Sequence, residues 1–243
     1  ATDECKELIM ATDINNSILT ELSVETGIKI TASLDEIKKF SDIIIIAVKP
    51  DIAVSLSSSL KNYNGIIVSI AAGISLKTLL DQAGTDKKII RAMPNTPVKT
   101  GSGMTVLSPS QKITDADIQL VKSIFTSIGE VLVMDEKYMN AVTAMSGSGP
   151  AYVFTFIQAM ADAGVKLGIP RTESLILAGQ TIFGSTKMFL DKFENPMILR
   201  DKVTSPGGTT ISALHVLERA GFNGIIMDAI EAAAKRSMEL DKS

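Results

Sequence analysis

The run Ile43-Ile44-Ile45-Ile46-Ala47-Val48 decides the fold. It is β-branched and does not alternate, the pattern of a strand buried on both faces of a parallel sheet. Two similar runs follow, Ile66-Ile67-Val68-Ser69-Ile70 and Lys88-Ile89-Ile90-Arg91-Ala92-Met93. Helical stretches separate them at residues 52–60 and 75–82, the second with Gly84 just past its end. Strand and helix alternating at this spacing predict a parallel α/β sheet. Toward the start, Leu8-Ile9-Met10-Ala11 is a short apolar run, residues 15–26 read as a helix, and Ile28-Lys29-Ile30 as a short strand. Ser33 with Glu36 three residues on fits a capping box opening another helix. In the other direction, residues 103–108 and 130–134 read as further strands around a helix at 114–127.

After Met134 the strand runs stop, and residues 151–168, 173–192, 210–220 and 223–240 read as helices. The first two are apolar on more than one face, with Val153, Phe154, Phe156, Ile157 and Met160, then Leu175, Ile176, Leu177, Ile182, Phe183 and Met188. A helix apolar all round must be buried. A helical domain of about 100 residues has too little interior for so many such faces, so dimerisation is expected. The domain boundary is placed near Asp135, giving domains 1–135 and 136–243.

Composition narrows the class. The 243 residues suit one or two domains, and 45% hydrophobic with 21% charged residues makes a core-forming chain. Lys plus Arg is 24 against 27 for Asp plus Glu, and the net charge of -3 offers no footprint for nucleic acid or an anionic membrane. A single cysteine, Cys5, excludes an internal disulfide framework and a Cys-rich zinc site. With one histidine, His215, neither a His-based metal site nor a Ser-His-Asp triad is expected, and no metal is assigned. His215 itself reads as a packed, hydrogen-bonded helix residue. The mean hydropathy of +0.25 calls for a check on membrane spans. The longest uncharged stretch, residues 138–161, is interrupted by Ser146-Gly147-Ser148-Gly149-Pro150 and reads as a buried loop and helix. The start shows no basic segment followed by an apolar one, so a cytoplasmic protein is expected.

Five segments could carry chemistry. Ala47-Val48-Lys49-Pro50 closes a buried strand, where open α/β sheets place their ligands. The residue before Pro50 is held extended, a shape that can turn the Val48 and Lys49 backbone toward a ligand or simply end the strand in a turn. Ile70-Ala71-Ala72-Gly73 puts small residues at the next strand end, letting a flat ring approach or merely making a tight turn. Met93-Pro94-Asn95-Thr96-Pro97 is a proline-restricted five-residue loop whose Asn95 and Thr96 could donate to a ligand or close the turn. Ser146-Gly147-Ser148-Gly149-Pro150 is an anion loop or a close-packed junction. Thr204-Ser205-Pro206-Gly207-Gly208-Thr209-Thr210 is the most specific, joining unobstructed N–H groups, hydroxyls and a helix start into a carboxylate or phosphate receptor. Its plainer reading is an N-cap formed by Thr209 or Thr210.

These segments, in this order and with Ser146-Gly147-Ser148-Gly149-Pro150-Ala151-Tyr152 and Ser205-Pro206-Gly207-Gly208-Thr209-Thr210 as the most specific, resemble the pyrroline-5-carboxylate reductase family along almost the whole chain. The resemblance implies a Rossmann-type domain followed by an all-helical dimerisation domain, with homodimers that often assemble into decamers. It implies reduction of 1-pyrroline-5-carboxylate to L-proline by NADPH or NADH. One departure stands out: Ala1 aligns some way into the family pattern, so the first strand and the Gly-rich pyrophosphate loop are not in this sequence. The sequence is therefore expected to begin inside a longer chain.

By the same resemblance, the substrate carboxylate falls to Ser205, Pro206, Gly207, Gly208, Thr209 and Thr210, mainly through the N–H groups of Gly207, Gly208 and Thr209. The Thr210 hydroxyl is the group expected to meet the ring nitrogen, and Glu136 to balance the iminium charge. Ala47, Val48, Lys49, Pro50, Ala72 and Asn95 match positions around the cofactor, with Thr12 and Asp13 at the adenosine ribose. An Asp there repels a 2′-phosphate, which leans toward NADH. A β-hydroxyacid dehydrogenase relative would need a catalytic helix lysine, and Lys166, Lys187 and Lys192 lack that context. A non-catalytic dimer without cofactor is the other alternative.

Overall fold

A computed structural model describes residues 6–241; Cys5 lies outside the described residues. The chain divides into two compact units, one holding the residues up to Thr143 together with those from Ser237 on, the other Ala144–Arg236.

In the first unit the isoleucine runs become strands. β1 (Met10–Ala11) and β2 (Lys29–Ile30) pair in parallel as a small sheet, with α1 (Asn16–Thr26) between them. β3 (Ile43–Ile46), β4 (Ile66–Ser69), β5 (Lys88–Pro94), β6 (Gly103–Pro109) and β7 (Gly129–Val133) form a second sheet in chain order. The crossovers are α2 (Leu34–Phe40) from β2 to β3, α3 (Pro50–Ser58), α4 (Leu76–Ala83), and α5 (Asp115–Thr126) from β6 to β7.

Helices cover both faces. Ile67 and Ile89 point into a cluster with Ile44, Ile46, Ala53, Leu60 and Leu79. The alternate residues Ile66, Val68, Ile90 and Ala92 meet Leu107, Val121, Phe125 and Val131. β4 is buried at every position, as its unbroken apolar run requires. β3 departs from that reading: it is an edge strand among the described residues, and Ile45 is 42% exposed.

The sheet is not wholly parallel. β6 runs antiparallel to β5, and β7 returns parallel to β6. The physical reason is the connection. Asn95 and a 3₁₀ turn at Thr96–Thr100 leave too few residues for a parallel crossover, which needs a dozen or more.

Local chemistry sets the helix ends. Asn15, Ser33, Ser75 and Thr114 each accept the N–H two or three residues on. The capping box expected at Ser33 is only half made: Ser33 accepts from Glu36 N–H, but the Glu36 carboxylate takes the Thr31 hydroxyl instead. The complete box is at Thr114 with Asp117. There the Thr114 N–H, the Lys88 ammonium and the Thr114 hydroxyl pull the Asp117 carboxyl down to about 2.

The second unit is helical. A short 3₁₀ turn, Glu136–Tyr138, and α6 (Met139–Val142) lead into a π-helical turn, Thr143–Gly147. α7 (Gly149–Lys166), α8 (Arg171–Lys192), α9 (Pro196–Lys202), α10 (Thr209–Arg219) and α11 (Phe222–Leu240) follow. α9 was not among the helices expected from sequence; Asn195 caps it through Met197 N–H, and Pro196 opens it. In place of the expected loop, a π-turn over Thr143–Gly147 is followed by Ser148 alone before the next helix opens at Gly149, and neither Gly147 nor Gly149 takes a positive φ. Among the described residues no helix is long and apolar enough to cross a membrane.

Candidate functional site

The first unit presents its candidate residues at strand ends. β3 stops at Ile46, and Ala47 and Val48 lead to Lys49, whose ψ of 152° is the extended backbone that Pro50 imposes. Pro50 is the first residue of α3, and no side chain caps that helix. The N–H groups of its first turn therefore lack an intrahelical acceptor. Val48 packs against the core, while Ala47, Lys49 and Pro50 are exposed. In the adjoining strand, the chain leaves β4 through buried Ala71, exposed Ala72 and buried Gly73 before Ser75 caps α4. Gly73 has φ +73°, which turns the chain beside Ala72 without a side chain in the way. An extended backbone with open amides, a lysine and a bare alanine at neighbouring strand ends suit a flat, anionic dinucleotide.

Thr12 and Asp13 follow β1 and are exposed. Asp13 Oδ1 accepts the Asn15 N–H at 2.8 Å, fixing the carboxylate at the start of α1. Asn95 helps close its loop, one of its two expected roles. β5 runs on through Pro94, and the Asn95 side-chain oxygen accepts the Met104 N–H at 2.9 Å, pinning the start of β6.

Glu136 sits among charges. Its Oε1 accepts the N–H of Leu76, the first residue of α4, at 2.5 Å and the Arg91 Nη1 at 3.3 Å. Arg91 Nη2 lies 3.5 Å from Asp241 Oδ1. Arg91 was not singled out from sequence, although a cation within a buried strand run was a visible signal.

The second unit carries the Ser-Pro-Gly-Gly-Thr-Thr segment. The Gly208 N–H donates to Ser205 O, closing a turn with Pro206 second and Gly207, at φ +68°, third. That is a type II β-turn, whose third position needs a positive φ. Gly208 has an ordinary φ; a Cβ there would push the Ser205 hydroxyl aside and come within 3.2 Å of the Ser205 carbonyl oxygen. The turn consumes the Gly208 N–H, so that group is not the open donor expected from sequence. Gly208 is also the N-cap of α10, and no side chain caps the helix, so the alternative of a Thr209 or Thr210 cap does not hold. The first-turn N–H groups of Thr209, Thr210 and Ile211 are the ones without intrahelical acceptors. The Gly207 N–H and the Ser205, Thr209 and Thr210 hydroxyls belong to the same short segment, a composition that suits an anion.

Other candidates stay outside this receptor's chemistry. The Tyr152 hydroxyl donates to Ala144 O at 3.1 Å, tying α7 to the π-turn. His215 is exposed on α10 rather than packed. Lys187 pairs with Asp191 one helical turn away, at 3.0 Å.

Residues 136–240 match the family model described as pyrroline-5-carboxylate reductase dimerisation, and residues 1–73 that described as NADP oxidoreductase, coenzyme F420-dependent. Both agree with a Rossmann-type domain followed by a helical dimerisation domain. The chain is 44% identical to a pyrroline-5-carboxylate reductase of Glycine max, over 88% of this chain and 79% of that one. Against the enzyme of that name from Escherichia coli (strain K12) it is 44% identical, over 89% and 82% of the two chains. The crystal structure of Plasmodium falciparum pyrroline carboxylate reductase with NADP bound superposes with a TM-score of 0.86 at 35% identity, covering 97% of this chain and 88% of that one. Identity at this level, sustained along both units, places the chain in the pyrroline-5-carboxylate reductase family.

Proposed function

We propose that this chain reduces 1-pyrroline-5-carboxylate to L-proline with NADPH or NADH, the final step of proline biosynthesis, and that the turn at residues 205–210 receives the substrate. The observation that carries this reading is that turn, which leads into a helix start whose first N–H groups, those of Thr209 and Thr210, no side chain caps. The substrate is a cyclic imine bearing a carboxylate. Its carboxylate takes the N–H groups and the Ser205 hydroxyl, while Pro206 holds the turn rigid. The Thr210 hydroxyl then donates to or accepts from the ring nitrogen, orienting the imine and stabilising the amine as it forms. Glu136 uses Oε1 for Leu76 and Arg91, so Oε2 is the oxygen left to face the iminium charge.

The cofactor, when bound, supplies the hydride and nothing else the protein lacks. Ala47, Val48, Lys49 and Pro50 line one side of its nicotinamide half, with Ala72 beside them and Asn95 nearby. Asp13, with Thr12, is set to accept from the adenosine ribose. Residues 1–135 serve the cofactor in this reading and residues 136–243 dimerisation and substrate. The chain works in the cytoplasm as a homodimer, further assembled as a decamer of five dimers, with neither nucleic acid nor membrane as a partner.

The test is NAD(P)H oxidation on addition of pyrroline-5-carboxylate, run with each cofactor. Turnover that needs both components supports the reading. Absence of turnover with a folded, dimeric protein that includes the residues its relatives carry ahead of Ala1 overturns it.

A further inference from the structure

Among the described residues Arg91 is the only charged one that is buried, at 3% exposure. It lies in β5 directly opposite Ser69 of β4 and Ser108 of β6, both buried. These neighbours are neutral hydroxyls, so the charge is answered from elsewhere. Glu136 answers it from the 3₁₀ turn after β7, and Asp241 from the residue just past α11.

Both carboxylates touch the same short segment. Glu136 Oε1 accepts the N–H of Leu76. A Cβ built on Gly73 would lie 3.9 Å from Asp241 Oδ1 and 3.4 Å from Leu240 Cβ, so Leu240 and Asp241 rest against that glycine. These two contacts hold Gly73 and Leu76 in the turn that leaves β4, and Ala72 is the residue just before the first of them. Two carboxylates this close repel unless a cation stands between them. The Arg91 guanidinium does so by donating a hydrogen bond to Glu136 and by charge contact alone with Asp241, whose buried Oδ1 accepts no hydrogen bond among the described residues.

We propose that Arg91 is a positioning residue: through Glu136 and Asp241 it fixes the backbone of residues 71–76, and with it the seat of the nicotinamide half of the cofactor. The proposal rests on the reading that Ala72 lies beside the cofactor. Arg91 touches neither cofactor nor substrate and acts through the turn.

The experiment uses Arg91→Lys, Arg91→Met, Asp241→Asn and Ala72→Leu in the full-length dimer. Hydrogen exchange of the turn is read without ligand, NADPH affinity by titration, and KM against kcat by kinetics. In Arg91→Met the amides of residues 71–77 exchange at least about 10-fold faster, while those of β3 and α5 are unchanged. The KM for NADPH rises about 5- to 10-fold with kcat within about twofold, and Arg91→Lys recovers part of both. Should Arg91→Met fail to fold, Asp241→Asn keeps the Arg91–Glu136 pair and still loosens the Gly73 end, with about threefold effects on exchange and affinity. Unchanged exchange in Arg91→Lys and Asp241→Asn overturns the proposal. So does faster exchange with unchanged NADPH affinity when Ala72→Leu weakens binding, because Arg91 would then be structural only. Unchanged affinity in Ala72→Leu overturns the cofactor reading instead, and that outcome is separate from the exchange result.

Discussion

The two units bury their apolar residues in opposite ways. In the first, Ile67, Leu79, Ile89 and Ile90 are completely shielded by their own sheet and helices. In the second, the described residues that reach comparable burial are small, Ala144, Ala161, Ala178 and Ser174, whereas Phe154, Ile176 and Phe183 are 65%, 64% and 62% exposed. A doubly wound sheet closes its core within one chain. Long helices that are apolar on several faces close theirs only against another copy, which agrees with the dimerisation family they match. The first unit thus closes its core with its own residues, whereas in the single chain the second leaves large apolar side chains exposed.

Four substitutions break or sharpen that contrast. Phe183→Asp puts a charge on the open face of α8 and should leave a monomer without measurable turnover; sedimentation showing an intact dimer would remove the basis of the comparison. Ile67→Ala empties a site in the first unit and should cost about 2–5 kcal/mol in urea unfolding while the dimer persists. Thr210→Ala removes one hydrogen bond in the second unit's receptor. It should lower kcat/KM roughly 10- to 150-fold, about 1.5–3 kcal/mol, without loss of association. Steady-state kinetics with kcat/KM unchanged would strip Thr210 of its role.

The smallest effect concerns the pH response of the first unit. Asp117 titrates at about 2 when folded, below the ordinary value of 3.8, chiefly because of the Thr114 N–H and then Lys88. A depressed carboxyl adds stability that is complete above its unfolded pKa and is lost as pH falls through the folded one. Asp117→Asn should therefore cost about 1 kcal/mol at neutral pH, a gap that closes between about pH 4 and 2. A gap that stays constant down to pH 2 would show that the carboxylate's charge is not what matters.

Much of the first unit was legible because strands buried on both faces write themselves as unbroken apolar runs. Ile66–Ser69 is the clear case. The antiparallel step at β6 was also legible in principle, in the short connection after Pro94, but the alternating pattern outweighed it. α9 hid because seven residues carry little periodicity, though Asn195-Pro196 marked its start. In the receptor the segment was found by its glycines and hydroxyls. The fate of the Gly208 N–H followed from a turn that Pro206-Gly207 encodes, which is a matter of backbone geometry and not of residue type. The pairing of Arg91 with Glu136 and Asp241 was out of reach for another reason: the three meet only in three dimensions, and no local pattern links β5 to the residue past α11.

That last meeting has a consequence for how the protein is made. Asp241 follows the whole second unit along the chain, yet it partners a strand of the first. On the ribosome the sheet can condense long before residue 241 emerges, so Arg91 waits with Glu136 alone while the helices are synthesised. The first unit is therefore finished last, and a fragment ending at residue 143 is not the same object as the unit in the complete chain. Anything fused close behind Asp241 would act on the turn carrying Ala72, a long way back in the order of translation.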